Sequence, residues 1–191
     1  MTRRMPQLPP LSAGSSTSAR ALAERNIAFL EQARGLLARL SDQDYTAPGP
    51  GGLRGGVGPH LRHVLDHYEL LLAGIASQAV DYDVRARDTA VERERGAALA
   101  KIGEIVGALR ALDGAAVERP LMVRVDSGEA SERFEGASSL GRELQFLVSH
   151  TVHHYAVIAV LLRVRGVDPG RDFGVAPSTL KHEAGAAACA R

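Results

Sequence analysis

The chain holds a single cysteine, Cys189, so no disulfide can form within it, and a reducing cytoplasm is the expected compartment. Neither sign of charge dominates. A formal net charge of +1 removes the electrostatic reason to expect nucleic acid or an acidic membrane as partner. No apolar run approaches the ~20 residues that a membrane span requires. The start is basic, Met1-Thr-Arg-Arg-Met-Pro6, but Pro6, Pro9 and Pro10 stand where a signal peptide needs an apolar stretch. Internal repeats are missing, and the glycine run 48–58 lacks the Gly-x-x-x-x-Gly-Lys-Ser/Thr pattern of a phosphate cradle. What is present is ordinary globular composition, 45% hydrophobic and 24% charged, in 191 residues. That length suits one domain whose core needs no covalent staple.

Residues 1–15, rich in Pro, Ser and Gly, read as a loose N-terminal arm. From Ser16 to Leu40, Leu22, Ile27, Leu30, Leu36, Leu37 and Leu40 recur at threes and fours and predict a first helix. The glycine run ends at Gly58-Pro59, a good helix start, and a second helix is expected from Pro59 to Ser77. A charged connection, residues 81–88, leads to a third helix over Thr89–Leu112, with Leu99, Ile102, Ile105, Val106 and Leu109 inward and Asp113-Gly114 as its stop. Leu121–Val125 and Glu132–Glu135 alternate around Asp126-Ser-Gly128 and suggest a small hairpin. Ser138 and Ser139 offer N-caps for a fourth helix reaching Arg165 and closed by Gly166. Residues 167–191 read as a tail with an Ala-rich, disordered end. The fold class is therefore all-α, a four-helix bundle over residues 16–166 with a small β-hairpin before the last long helix.

Six of the seven histidines fall in two clusters about ninety residues apart, His60-Leu-Arg-His63-Val-Leu-Asp-His67 and His150-Thr-Val-His153-His154. Histidines four apart project from one helix face, ~6 Å apart along the axis, which is the spacing of two ligands to one metal. Random placement would yield only about 0.3 such pairs. On the fourth helix the row Phe146, His150, His154, Ile158, Leu162 is otherwise apolar, so its imidazoles must be hydrogen-bonded or ligated. His150 and His154 are the firmest metal candidates. His63 is favoured as third ligand over His60 and His67 because the bundle seam should pass mid-cluster, although spacing alone leaves that choice open. Three neutral nitrogens with an open fourth position describe a catalytic zinc site, and Ni²⁺ or Fe²⁺ accept the same donors.

Thr151-Val152 follow His150, so there is no His-Glu-x-x-His and no glutamate base of the zincin kind. Any catalysis then relies on the metal to activate water or a thiol. His67, one turn from His63, is the candidate catalytic residue, a proton relay. His153, Asp66, Glu69 and Tyr155 are further candidates for supporting the ligands. Cys189 reads as a passive thiol, His182 as a surface residue, and Arg85 and Arg87 as a solvated connector.

Through "HLRHVLDHYE", residues 60–69, and "SHTVHHYAVIAVLLR", residues 149–163, the chain resembles the DinB superfamily, which includes the YfiT-like metal-dependent hydrolases. The resemblance implies a four-helix bundle in which one histidine of the second helix and a His-x-x-x-His pair of the last bind Zn²⁺, Ni²⁺ or Fe²⁺. Those positions fall on His63, His150 and His154. The same His-Leu-x-His run occurs in the N-terminal domain of ergothioneine-forming sulfoxide synthases, where tryptophan precedes it and this chain has Pro59. His150 stands where mycothiol-dependent isomerases have glutamate. Relatives of this kind transfer low-molecular-weight thiols such as bacillithiol or mycothiol. The resemblance thus implies a metal-dependent hydrolase or thiol transferase acting on a small-molecule substrate, with a divalent metal, zinc first, and a thiol as cofactors. A homodimer through outer helix faces is compatible with a bundle of this size. The alternative is a non-catalytic metal-binding stress or sensor protein whose site is closed by a fourth ligand, His67 or His153.

Overall fold

The computed structural model describes residues 16–52, 55–84, 89–113, 117–126 and 133–189. The N-terminal arm, the Arg85/Arg87 pair and the turn between the expected hairpin strands lie outside these residues, as does the side chain of Cys189. Seven helices and one small sheet are present among them: α1 (Ser16–Arg39), α2 (Asp42–Thr46), α3 (Val57–Ser77), β1 (Ala79–Asp81), α4 (Ala90–Arg93), α5 (Arg95–Arg110), β2 (Pro120–Asp126), β3 (Arg133–Ser139), α6 (Leu140–Val164) and α7 (Pro177–Cys189).

Helical periodicity carries the core. Ile27, Leu30, Leu36 and Leu37 of α1, Leu40 just after it, Leu61, Val64, Leu65 and Leu71 of α3, Ile102, Ile105, Val106 and Leu109 of α5, and Leu144, Leu147, Ile158 and Leu162 of α6 form one buried cluster. Both α1 and α3 pack on α5 and on α6. By length and composition α6 could cross a membrane. Its burial of Leu144, Leu147, Tyr155, Ile158 and Leu162 against α1 and α3 accounts for that composition.

Several boundaries depart from the sequence expectation, each for a physical reason. Helix α3 begins at Val57 rather than Pro59, because proline is tolerated anywhere in a first turn whose N–H groups need no helical partner. The expected third helix is two. Glu94 is extended, with φ −123° and ψ 109°, and separates α4 from α5. The hydroxyl of buried Tyr45 donates to the Val91 carbonyl, and a Cβ at Gly58 would lie 2.1 Å from the Glu92 carbonyl oxygen. Those contacts hold α4 against the start of α3, off the axis that α5 follows. Helix α2 follows an N-cap, with Ser41 Oγ accepting from Asp44 N at 3.0 Å. The Ala-rich end of the tail, expected to be disordered, is helical through Cys189, as alanine's high helix propensity favours.

The hairpin strands pair antiparallel, Leu121 opposite Ser138 and Val125 opposite Phe134. They gain a third strand, β1, which pairs parallel to β2 with Val80 opposite Val123. Three residues are too few for a readable alternation, and only Asp81 of the strand falls in the charged connection expected over 81–88. The sheet packs at the end of α3, and Ser139 caps α6 by accepting from Arg142 N at 3.2 Å.

Candidate metal centre

Helices α3 and α6 run antiparallel, which follows from their side-chain pairs. His60 meets His154 near the start of α3, and His67 meets His150 and Phe146 one to two turns later. Beneath the histidines this register is held by a buried chain of hydrogen bonds. The Thr151 hydroxyl donates to the Tyr68 oxygen (3.2 Å), which in turn donates to Asn26 Oδ1 (2.9 Å). Asn26 Nδ2 completes its valence on the carbonyls of Leu22 (2.9 Å) and Leu144 (3.1 Å). Asn26, Tyr68 and Thr151 are all fully buried, so α1, α3 and α6 are tied at one level. Burial pushes the Tyr68 phenol well above its ordinary pKa, keeping it a neutral donor.

At the seam above, one ring nitrogen each from His63, His150 and His154 lies within 4.8 Å of the other two. Ring centroids are 4.9 Å apart for His63 and His150, 4.5 Å for His63 and His154, and 4.6 Å for His150 and His154. All three are half-buried, at the rim of the core rather than deep inside it. The group could therefore bind a metal ion that remains reachable from solvent. Burial, then the neighbouring His60, His153 and His67, pushes the His154 pKa down to about 4. At neutral pH its ring is uncharged, the form that ligates.

Two further imidazoles flank the trio. His67 is buried and stacks on His150 at 4.1 Å and on Tyr82 at 5.1 Å. Its Nδ1 donates to the His63 carbonyl at 2.8 Å, so in the neutral ring Nε2 carries the lone pair. On the other side, His60 Nδ1 lies 3.1 Å from His154 Nδ1. His153 is exposed, its ring 5.0 Å from that of His154.

Asp66, Glu69 and Tyr155 have partners of their own. Asp66 pairs with Arg62, which also holds Glu92 of α4. Glu69 pairs with Lys101 of α5. Tyr155 donates to the Phe29 carbonyl at 3.0 Å and stacks on Phe173 of the returning tail. His182 is exposed on α7. Three contributors escaped the sequence. Tyr82 sits in a segment that reads as charged connector, yet it lies against His67 and donates to buried Glu143 at 2.9 Å. Glu143, which also accepts from Ser138, is the anchor that fixes it. Asn26 gave no signal beyond being a polar residue in an apolar helical face.

Residues 29–158, which include His63, His150 and His154, match the family model described as DinB superfamily. The chain belongs to the DinB superfamily. It is also 33% identical over 105 residues to FK506-binding protein 5 of Rhizopus delemar. That match takes in 54% of this chain and 27% of the fungal protein, so the shared part is about a quarter of the fungal length.

Proposed function

We propose that this protein is a metal-dependent enzyme of the DinB type, a hydrolase or a low-molecular-weight-thiol transferase, built on a four-helix bundle formed by α1, α3, α5 and α6. The observation that carries the reading is the convergence of His63, His150 and His154 from two helices onto one half-buried point. The donor set fits a borderline metal. It offers three nitrogens and no carboxylate, and donors now within 4.8 Å of one another would need to close to about 3.3 Å to share one ion at the ~2.0–2.1 Å bonds of zinc. Zinc is the first choice, with nickel or iron accepting the same ligands. When bound, the ion would supply Lewis acidity and lower the pKa of a coordinated water or substrate thiol.

The chain's own residues have separate tasks. His63, His150 and His154 hold the ion. His67, with Nδ1 committed to a carbonyl, offers Nε2 as the atom that takes up and returns a proton, and its stacking between His150 and Tyr82 keeps that ring in place. Half-burial leaves access for a small molecule. The single cysteine supports a reducing compartment, the cytoplasm, and the outer helix faces would serve a homodimer. The fungal relative's name refers to a much longer protein and does not specify the substrate here.

A second reading has an observation in its favour. Five imidazoles crowd the seam, and His67 at 4.1 Å from His150 could serve as a fourth ligand, which would close the site and suit a sensor or stress protein. Metal analysis of the purified protein is expected to give one ion per chain, and His154→Ala should lose it. Unchanged metal content in that variant would refute the ligand set. X-ray absorption on the loaded protein separates the two readings: three histidine nitrogens plus a light exchangeable ligand supports the enzyme, and four histidine nitrogens supports the closed site. Screening thiol cofactors with electrophilic substrates, with His67→Gln as the control expected to slow turnover about 10²-fold or more, tests the reaction class.

A further inference from the structure

We propose that His60 is a positioning residue for the metal centre: it accepts the Nδ1 proton of His154 and so leaves Nε2 as that ring's lone-pair nitrogen. This rests on the metal reading above and goes beyond it in assigning a tautomer and the residue that selects it. The two Nδ1 atoms are 3.1 Å apart, a hydrogen-bond distance, so between neutral rings one carries the proton and the other receives it. A neutral imidazole has a single N–H. If His154 donates from Nδ1, its Nε2 is bare and can ligate; if His60 donates instead, His154 carries its own proton at Nε2 and presents N–H to the cation.

With Nδ1 engaged by His60, only the first arrangement leaves His154 a lone pair, on Nε2, for a site shared with His63 and His150. The rings meet edge to edge rather than stacked, with centroids at 5.3 Å and a tilt of 40°. The Nε2 and Cδ2 edge of His60 faces the loop at Gly55, where an added Cβ would stand 3.7 and 3.8 Å away, while its Nδ1 edge is turned to His154 of α6. His60 is not among the three residues whose donor atoms cluster within 4.8 Å, which places it beside the trio rather than in it. Ligating imidazoles are generally oriented in this way through their second nitrogen, and loss of such a partner weakens metal binding.

Long-range ¹H–¹⁵N NMR of the metal-free protein reads the tautomers directly. The expected result is a proton on Nδ1 of His154 and on Nε2 of His60. A proton on Nε2 of His154 overturns the proposal. Zinc titration of His60→Ala should show affinity about 10- to 100-fold below wild type with an unchanged melt of the metal-free protein. His60→Asn, whose side-chain oxygen can take the place of Nδ1, should restore most of it. Wild-type affinity in His60→Ala overturns the assignment. So does a cobalt-substituted protein whose spectrum reports four histidine nitrogens, one of them lost in His60→Ala. A wild-type protein that takes up no zinc defeats the metal reading instead, and the tautomer measurement, made without metal, still decides the role of His60.

Discussion

Asn26 is a polar side chain with no exposure, and it is stable there because each of its hydrogen-bonding groups has a partner on a different turn or helix. Its network is the residue-scale reason that the two histidine clusters face each other. Tyr68→Phe removes the hydroxyl that links Asn26 to Thr151 and leaves both without that partner in the core. The expected loss is about 1–3 kcal/mol, seen as a lower urea midpoint with unchanged slope. His154 makes a second residue-scale prediction. Its folded pKa, about 4, lies below the ordinary imidazole value, so the fold favours the neutral ring. That contribution is complete above pH ~6.5 and is lost as pH falls from there toward 4, where the unfolded chain takes up a proton that the folded ring resists. The denaturation midpoint of the metal-free protein should therefore drop over that window, and His154→Gln should flatten the drop.

At the scale of elements, the break between α4 and α5 depends on close backbone approach. Gly58 of α3 lies so near the Glu92 carbonyl that any side chain there would collide at 2.1 Å with backbone, which cannot swing aside. Gly58→Ala should cost about 1–3 kcal/mol by thermal melt. It should also disturb the Arg62–Glu92 pair, because α4 would have to move off α3. The returning tail is built similarly. Gly174, at φ +75°, sits against the Tyr155 and Ala156 backbone, and neighbouring Phe173 is buried in contact with the Tyr155 ring. Neither approach has a local signature. Glycine within a helical first turn or a tail is common, and only the partner segment reveals why a Cβ is forbidden.

Across the whole molecule, the metal proposal couples the site to global stability. An ion that binds only the folded chain stabilises it by about 2.7 kcal/mol when present at 100 times its dissociation constant. Excess zinc should raise the melting temperature of the wild-type protein by several degrees. His154→Ala should show no such rise, and a rise equal to wild type would mean that the ion binds elsewhere.

The amino-acid order alone determined the four long helices, their inward faces, the strand pair and both histidine clusters, because each is encoded by spacing over one or two turns that the backbone's own periodicity converts into a face. It also carried the DinB resemblance. Which histidines share a point in space was decided only by tertiary packing. The sequence could favour His63 but not exclude His60 or His67, since three positions on one helix differ by a turn and the antiparallel offset of α6 selects among them. The same holds for β1, the α4–α5 break, Tyr82 and Glu143, all defined by partners tens of residues away. Local periodicity has no access to contacts of that range, whereas the buried Thr151–Tyr68–Asn26 chain, formed only when three helices meet, sets the offset that gathers the imidazoles.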